Sequence, residues 1–261
     1  MAGRRPLPSK PYFASPRPRI FAHRGLATSA PENTLASFLA ALDLGVIYLE
    51  TDVHASSDGV AVVSHDRSLL RVAALDTLVS DHTLAELEAM DLGAGQGFSS
   101  LSSVLAAYPQ AHFNIDIKSM DAALPTARAI LEAHATARVL VTSFSERRRR
   151  RAVRAIPNVA SSASGPIFLA ALLLTKVAAT PLVRLVLRGV DAVQVPERAA
   201  GLTIATARTI GRLQRAGVEV HFWTINDEAS MNRLLDLGAD GLVTDRCDLA
   251  LRIVSERAAK L

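Results

Sequence analysis

The sequence has little of several features that would place it in common classes of protein. Its 261 residues include one cysteine, Cys247, so the chain cannot form an internal disulfide framework. Its longest apolar zone, residues 167–187, is interrupted by Lys176, Pro181 and Arg184, which argues against a transmembrane helix. The first residues include no apolar stretch of the length that a signal peptide needs. We therefore expect a cytoplasmic protein.

Acidic residues are absent before residue 20, where five basic residues and five of the 12 prolines lie. The formal net charge of the chain is +4, and it becomes −1 without these five charges. The basicity therefore belongs mostly to an N-terminal arm, residues 1–18, which is predicted to be a solvated tail. Residues 19–261 are predicted to form one domain, because 49% of the chain is hydrophobic and no interior linker divides it.

Short β-branched runs alternate with stretches rich in Ala and Leu. Eight strands are predicted, at residues 19–23, 46–53, 112–118, 139–144, 158–163, 191–195, 219–225 and 240–245. Helices are predicted after nearly all of them, at residues 33–44, 121–135, 145–155, 167–187, 203–216, 227–237 and 248–258. Eight strand-then-helix units in this length predict a (β/α)₈ TIM barrel, with a small insertion after the second strand. A doubly wound open sheet is the alternative.

Polar side chains occur at the C-terminal ends of the predicted strands, which is where a TIM barrel has its active site. In chain order they are His23, Arg24, Glu50, Asp52, Asp116, Lys118, Gln194, Trp223, Asn226 and Asp245, with His65 and Asp66 at the end of a small arm after the second strand. The pattern therefore predicts a barrel with its chemistry at this end.

The acids among these residues predict a metal site. Glu50 and Asp52 are two positions apart on one strand, so their carboxylates point to the same side. Such a pair repels unless a cation lies between them, and Asp116 adds a third acid from a neighbouring strand. A hard divalent cation, Mg²⁺ or Ca²⁺, fits this set, and no Cys or His cluster suggests zinc. Lys118 is predicted to bind an anionic substrate such as a phosphate; a salt bridge with the acids is the alternative.

The first strand ends in His-Arg-Gly. Arg24 provides a guanidinium group for the same phosphate, and His23 with His65 fits a general acid and a general base. Gly25 allows the chain to turn sharply, and residues 31–34 are predicted to begin the first helix.

Seven motifs occur in a fixed order between residues 20 and 250. They are H-R-G at 23–25, P-E-N-T at 31–34, E-T-D at 50–52, D-G-V-x-V-V-x-H-D at 58–66, N-I-D-I-K at 114–118, W-T-I-N at 223–226 and G-A-D-G-L-V-T-D at 238–245. Together they resemble the glycerophosphodiester phosphodiesterase family. The resemblance implies a TIM barrel with one divalent cation that cleaves glycerophosphodiesters to sn-glycerol 3-phosphate and an alcohol. It also implies a cyclic phosphate intermediate, formed by attack of the substrate's own glycerol hydroxyl on phosphorus.

The resemblance assigns roles to the candidate residues. It makes His23 and His65 the acid–base pair, Glu50, Asp52 and Asp116 the metal ligands, Arg24 and Lys118 the phosphate ligands, and Trp223 a border of the substrate, with Gln194 as a further expected substrate contact. The family usually has Glu at the third acid. Asp116 is shorter by one methylene, so the choice of metal stays open. The segment before the third strand is short, which predicts an open pocket.

Other functions remain open from sequence alone. A lysophospholipase D or a cyclising phospholipase would keep the site and act on membrane-derived lipids. Residues 167–188 would then form a lid or a membrane-docking element of two short helices, with Thr180 as the N-cap of the second, at the inner face of the membrane. The alternative is an ordinary, buried fifth helix. A non-catalytic barrel that binds lipid or phosphate fits the paired histidines less well. A nucleic-acid role rests on residues 147–151, five arginines expected on a solvated helix face.

Overall fold

The computed structural model describes residues 10–177, 179–199 and 201–259. Its strands are β1 (Arg19–His23), β2 (Tyr48–Ala55), β3 (Ala61–Val63), β4 (His112–Ile117), β5 (Val139–Thr142), β6 (Ala160–Ser161), β7 (Ala192–Val195), β8 (Arg198–Ala199), β9 (Leu202–Thr203), β10 (Glu219–Phe222) and β11 (Gly241–Thr244). Its helices are α1 (Leu35–Asp43), α2 (Leu70–Ala73), α3 (Leu84–Glu88), α4 (Leu101–Ala107), α5 (Ala123–Glu132), α6 (Glu146–Ala155), α7 (Gly165–Lys176), α8 (Thr180–Val186), α9 (Ala207–Arg215), α10 (Glu228–Asp236) and α11 (Cys247–Ala258).

Within the described ranges, eight strands form a nearly closed parallel barrel in the order β1, β2, β4, β5, β6, β7, β10, β11. The last strand pairs with the first, with Arg19 opposite Gly241. A parallel bridge between Ser162 and Ala192 links the end of β6 to β7. Because an open sheet would leave its edge strands unpaired, this closure confirms the predicted TIM barrel. The predicted insertion is also present, as β3, which pairs antiparallel with β2, and helices α2 to α4.

Side chains at alternate positions of each strand point into the barrel. Phe21 and Tyr48 belong to an apolar cluster inside the barrel. The residues two positions later on the same strands, His23 and Glu50, face the cavity at the C-terminal end. The register of the strands therefore brings polar residues from different strands to one level.

Residues 10–18 close the opposite end of the barrel. Tyr12 and Phe13 join the interior cluster, with exposed fractions of 0% and 7%. Arg19 is buried and donates a hydrogen bond to the carbonyl of Phe13. The prediction of a solvated tail is therefore wrong for residues 10–18, because Tyr12 and Phe13 provide apolar surface that is buried inside the barrel. The rest of the predicted arm, residues 1–9, lies outside the described residues.

The start of the first helix differs from the prediction. α1 begins at Leu35, and its N-cap is Thr34, whose hydroxyl accepts a hydrogen bond from the amide of Ser37. Asn33 has a φ of 58°, in the left-handed region, so residues 31–33 cannot belong to the helix.

The segment after the fifth barrel strand forms two helices, α7 and α8, as predicted. Thr180 is the first residue of α8 rather than its N-cap, a position that Ala179 occupies. In the described part of the chain, no helix is long and apolar enough to cross a bilayer.

The arginine run lies on α6, and one of its members departs from the predicted solvated face. Arg149 is buried and donates hydrogen bonds to Glu146 and to the hydroxyl of Ser161. Its guanidinium group is therefore engaged in hydrogen bonds inside the protein rather than exposed to solvent.

Candidate active site

A cavity of about 470 Å³ lies at the C-terminal ends of the barrel strands. All nine side chains predicted for the site line it, and they are His23, Arg24, Glu50, Asp52, His65, Asp116, Lys118, Gln194 and Trp223. They come from the ends of several barrel strands and from the loop that follows β3. The structure therefore brings every predicted site residue to one place, while their individual roles stay predictions.

His23 is held by Asp245, the residue after β11. The distance from His23 Nδ1 to Asp245 Oδ1 is 2.6 Å, and Asp245 accepts a second hydrogen bond from Asn226 at 2.7 Å. Burial lowers the pKa of His23, but the hydrogen bond with Asp245 and the charge of Glu50 outweigh it, so the pKa is raised. Because Nδ1 is engaged, Nε2 is the nitrogen left for a substrate, and it lies 3.9 Å from Glu50 Oε2.

The three predicted metal ligands are buried carboxyl groups. Glu50, Asp52 and Asp116 have exposed fractions of 6%, 1% and 6%. Burial, followed by the charge of Asp52, raises the pKa of Glu50 to about 8. Burial also raises the pKa of Asp116. Burial therefore disfavours the charged forms of Glu50 and Asp116.

Lys118 lies between two of these acids. Its Nζ is 2.8 Å from Asp52 Oδ1 and 2.7 Å from Asp116 Oδ2. Burial lowers the pKa of Lys118, but the two carboxylates outweigh it and raise the pKa. This geometry is the salt bridge that the sequence left open as the alternative for Lys118. Consistent with it, the described residues contain no group of three or more His, Cys, Asp or Glu side chains that converges as metal ligands do.

The donor set nevertheless fits a divalent cation. Asp116 Oδ1 and Asn114 Oδ1 are buried, and neither has a hydrogen-bond partner in the described ranges. An unpartnered buried carboxylate oxygen is costly, and a hard cation is the ligand that oxygen donors of this kind prefer. Asn114 and Asp116 line the cavity together with Glu50 and Asp52. These residues could therefore hold Mg²⁺ or Ca²⁺.

Arg24 follows β1 and lies between two acids. Its Nη1 is 3.1 Å from Glu32 Oε1, and its Nε is 3.3 Å from Asp52 Oδ2. The second contact is close enough for charge attraction but lacks the geometry of a hydrogen bond. Asn33 fixes the same acid, because it donates to Asp52 Oδ2 at 3.3 Å and accepts a hydrogen bond from Thr51. The left-handed Asn33 thus has a role at the cavity rather than in a helix.

A chain of ion pairs joins His65 to Arg24 across the mouth of the cavity. His65 Nδ1 lies 2.7 Å from Asp66 Oδ1, and Asp66 also pairs with Arg71 of α2. The Nη2 of Arg71 is 2.6 Å from Glu32 Oε1, the oxygen that also contacts Arg24. The position of His65 therefore depends on side chains from both the insertion and the loop after β1.

One wall of the cavity is apolar. Phe168, Leu169 and Leu172 of α7 line it. Trp223 packs edge-on against Phe144, with ring centroids 6.0 Å apart. The predicted substrate contact Gln194 lies in β7 and borders the same space. Its Nε2 is buried and has no partner in the part of the chain that the structure describes, so it remains available to a substrate oxygen.

Several residues of this site have roles that the sequence did not indicate. Asp245 and Asp66 stand out only as polar residues after strands, although closure of a barrel makes the last strand a neighbour of the first, which could have paired Asp245 with His23. Glu32 looks like a helix-start acid, and Arg71 lies in an irregular insertion without a pattern. For the apolar wall, the signal was the absence of a polar stripe on α7.

Comparison with known protein sequences finds similarity to one family of enzymes. A model of the "Glycerophosphoryl diester phosphodiesterase family" matches residues 23–249. The "Probable glycerophosphodiester phosphodiesterase 2" of Mycobacterium tuberculosis is 40% identical over 238 residues, which cover 90% of each protein. A glycerophosphodiester phosphodiesterase of Caldanaerobacter subterraneus is 28% identical, over 90% of this chain and 97% of that protein.

Solved structures share the fold. A phosphodiesterase of Oleispira antarctica, in complex with the product sn-glycerol-3-phosphate, superposes with a TM-score of 0.74 at 22% identity, covering 91% of this chain and 97% of that one. A glycerophosphodiester phosphodiesterase of Agrobacterium tumefaciens has a TM-score of 0.71 at 24% identity, with coverages of 90% and 99%. At these identities the likeness shows the fold alone.

Proposed function

This chain belongs to the glycerophosphoryl diester phosphodiesterase family, and we propose that it hydrolyses glycerophosphodiesters to sn-glycerol 3-phosphate and an alcohol. The observation that supports this proposal most is the convergence of two histidines, three acids and two cationic side chains on one cavity. The Oleispira phosphodiesterase, which has the same fold, binds the proposed product.

In the proposed reaction, the bond from phosphorus to the leaving alcohol breaks and a bond from phosphorus to the entering oxygen forms. One histidine accepts the proton of the attacking hydroxyl, and the other donates a proton to the leaving oxygen. Asp245 and Asp66 engage the Nδ1 atoms of His23 and His65, so each ring presents Nε2 to the substrate. In the cyclic route that the family resemblance implies, water then opens the cyclic phosphate while the two histidines exchange roles.

The remaining polar residues hold the phosphate and its charge. Arg24 and Lys118 are the proposed phosphate ligands, and a bound phosphate competes with Asp52 for both of them. Glu50, Asp52 and Asp116 are the proposed ligands of one Mg²⁺ or Ca²⁺, which when bound supplies positive charge for the phosphate oxygens.

Product analysis tests this function. The protein is incubated with glycerophosphocholine or glycerophosphoethanolamine in the presence of Mg²⁺, Ca²⁺ or a chelator. We expect release of sn-glycerol 3-phosphate and the free alcohol, and loss of activity in chelator. Release of phosphocholine instead, or no turnover of either substrate, would contradict the proposed reaction. Full activity in excess chelator would contradict the cation.

A second candidate function is cleavage of lysophospholipids. In a lysophospholipase D reaction water replaces the headgroup alcohol on phosphorus, and in a cyclising reaction the lipid's own hydroxyl replaces it and leaves a cyclic phosphate. The apolar wall favours this candidate, because an acyl chain attached to the phosphodiester would find Phe168, Leu169 and Leu172 beside the polar residues. Contact of residues 167–188 with the inner face of the membrane would bring such a lipid to the cavity in a cytoplasmic protein.

This candidate is tested at one exposed member of the wall. Leu169 is 43% exposed, so a serine at this position leaves the core intact. We expect Leu169→Ser to lower kcat/KM for a lysophospholipid about tenfold, the loss of roughly one buried apolar side chain, without changing that for glycerophosphocholine. Leu131→Ser on α5, also exposed, is the matched control. Equal losses on both substrates would exclude a specific acyl-chain contact.

A further inference from the structure

Helices α7, α8 and α9 have an unusual distribution of charge. Residues 165–190 and 201–218 contain no Asp or Glu, and their six cationic residues are Lys176, Arg184, Arg188, Arg208, Arg212 and Arg215. Arg212 and Arg184 donate to the backbone carbonyls of Thr175 and Arg215, which ties α9 to α7 and α8. Within the described ranges, none of the six forms an ion pair with a carboxylate. The three helices therefore present uncompensated positive charge.

Exposed apolar side chains lie on the same helices. Leu169, Leu173 and Val177 recur every four residues, so they form one stripe along α7 and its C-cap. Their exposed fractions are 43%, 53% and 72%, and α8 adds Leu182 and Leu185 at 49% and 64%. The stripe begins at the catalytic cavity, because Leu169 also lines that cavity. Exposed apolar side chains that recur along one helix face are typical of an interaction surface.

A second cavity, of about 320 Å³, lies between α7 and α9 at the far end of this stripe. Its lining consists of three cationic and three hydroxyl side chains, from Lys176, Arg208, Arg212, Thr175, Thr206 and Thr209. No carboxylate lines it, so its chemistry suits a phosphate group.

We infer that α7, α8 and α9 form a docking surface for an anionic phospholipid bilayer. The leucines enter the apolar layer, and the arginines with the second cavity meet the headgroup phosphates. A bilayer offers an apolar layer beneath negative charge, which complements both features. A second copy of this surface would instead bring like charges together. The docked stripe would lead a lipid from the bilayer to the catalytic cavity, so the surface serves the lysophospholipid function proposed above.

Co-sedimentation of the full chain with vesicles tests the surface without any turnover. We expect binding to vesicles of phosphatidylcholine mixed with phosphatidylglycerol, weak binding to phosphatidylcholine alone, and a loss of binding as salt is raised. Arg188 and Arg208 are exposed, so Arg188→Gln with Arg208→Gln should preserve the fold and lower partitioning about 25-fold, since each cation near an anionic membrane contributes about fivefold. Leu173→Ser with Leu185→Ser should lower partitioning by a similar factor.

The matched control is Arg128→Gln with Arg151→Gln, two exposed arginines on α5 and α6. It removes the same charge and should bind anionic vesicles as the parent does. All of these variants should hydrolyse glycerophosphocholine at the parental rate. Failure of the parent to prefer anionic vesicles, or equal losses in the control and in the Arg188 and Arg208 variant, would overturn the inference. Preference for anionic vesicles by a protein that does not hydrolyse lysophospholipids would reject the lipid substrate and retain the surface.

Discussion

His23 and His65 are both hydrogen-bonded at Nδ1 to a carboxylate, but the two carboxylates have different surroundings. Asp245 shares its charge between His23 and the amide of Asn226, and the hydrogen bond with His23 lowers the pKa of Asp245. Asp66 shares its charge between His65 and an arginine. At the scale of single residues, we therefore propose that each acid is a positioning residue that acts on the substrate through its histidine ring.

Removal of either ring should remove proton transfer. We expect His23→Ala and His65→Ala each to lower kcat on glycerophosphocholine by about 10²-fold or more. The double variant should be scarcely slower than the slower single variant, because the two groups act as one unit. Steady-state kinetics of the four proteins measure this. Multiplicative losses in the double variant, or an unimpaired His65→Ala, would require other roles.

Replacement of Asp245 by asparagine should alter the pH dependence of the reaction. The carboxylate holds the pKa of His23 above its ordinary value, so its removal should lower that pKa. The limb of the kcat/KM profile that reports His23 should therefore move to lower pH, together with a loss of up to about 10²-fold in kcat. The exposed Asp76→Asn is the control. An unmoved profile would show that Asp245 does not act through His23.

The ion pairs of Arg71 should matter for rate more than for stability. Arg71→Ala removes one of the partners of both Asp66 and Glu32, so we expect His65 and Arg24 to lose their alignment. Because Arg71 is half exposed, at 51%, the cost in unfolding free energy should be about 1 kcal/mol or less. We expect kcat to fall at least about tenfold, with partial recovery in Arg71→Lys. The neighbouring, exposed Arg67→Ala should have the parental kcat, and an equal fall in that variant would show a general disturbance of the insertion.

At the scale of elements, the turn after β1 decides where Arg24 points. Gly25 has a φ of +83°, and a Cβ built there would lie 2.6 Å from the backbone carbon of Ser37 in α1. The turn and the helix are therefore in direct contact, with no room for a side chain. This contact holds the turn after β1 against the first turn of α1.

Gly25→Ala should therefore be strongly destabilising. The positive φ alone costs an alanine about 1 kcal/mol, and the clash with the Ser37 backbone adds to this, so we expect a loss of more than about 2 kcal/mol in unfolding free energy. Gly45→Ala is a matched control, because Gly45 has a φ of +91° and open space around it. Urea unfolding of both variants separates the cost of φ from the cost of the clash. Equal losses would show that α1 moves to accommodate the methyl group.

Elements whose pattern is local were predicted well, and those that depend on distant partners were not. The bounds of β1 agree with the prediction, and the acids fall together because parallel strands end at one level. The burial of Tyr12 depends on the far end of a barrel that only exists after folding. The salt bridge of Lys118 depends on the register that sets Asp52 opposite Asp116. The ring partners of Tyr12, such as His112, are distant in sequence and leave no local signal. Asp116 is two residues from Lys118, so the sequence offered this salt bridge as an alternative but could not decide for it.

At the scale of the whole molecule, the end of the barrel opposite the active site contains a buried ion pair. Glu219 is 1% exposed and accepts two hydrogen bonds from Arg19, at 2.8 and 2.9 Å, with His221 at 3.0 Å. Burial raises the pKa of Glu219, but the contacts with His221 and Arg19 outweigh it and lower the pKa to about 2. The folded pKa is thus below the ordinary value of 4.5, so this stabilisation is complete above pH 4.5 and is lost as the pH falls towards 2.

Glu219→Gln should reveal this contribution. It leaves the Arg19 charge buried without its partner, so we expect a loss of about 3 kcal/mol or more in unfolding free energy near neutral pH. The variant should also lose less stability than the parent between pH 4.5 and 2, because the titrating group is gone. Glu228→Gln, at an exposed pair with Arg252, should cost less than about 1 kcal/mol. If the unfolding free energies of the parent and of Glu219→Gln changed in parallel with pH, groups other than Glu219 would be responsible for the loss of stability in acid.

The pairing of β1 with β11 matters for how the protein is made. A ribosome releases the His-Arg-Gly segment early, yet β1 lacks one neighbour and His23 lacks Asp245 until the last strand has been synthesised. A chain without β11 therefore leaves one edge of β1 unpaired. Prematurely terminated or proteolysed chains that lack β11 contain most of the site motifs but cannot assemble the His23–Asp245 pair. Hydrolytic activity is therefore expected only in chains that include β11 and Asp245.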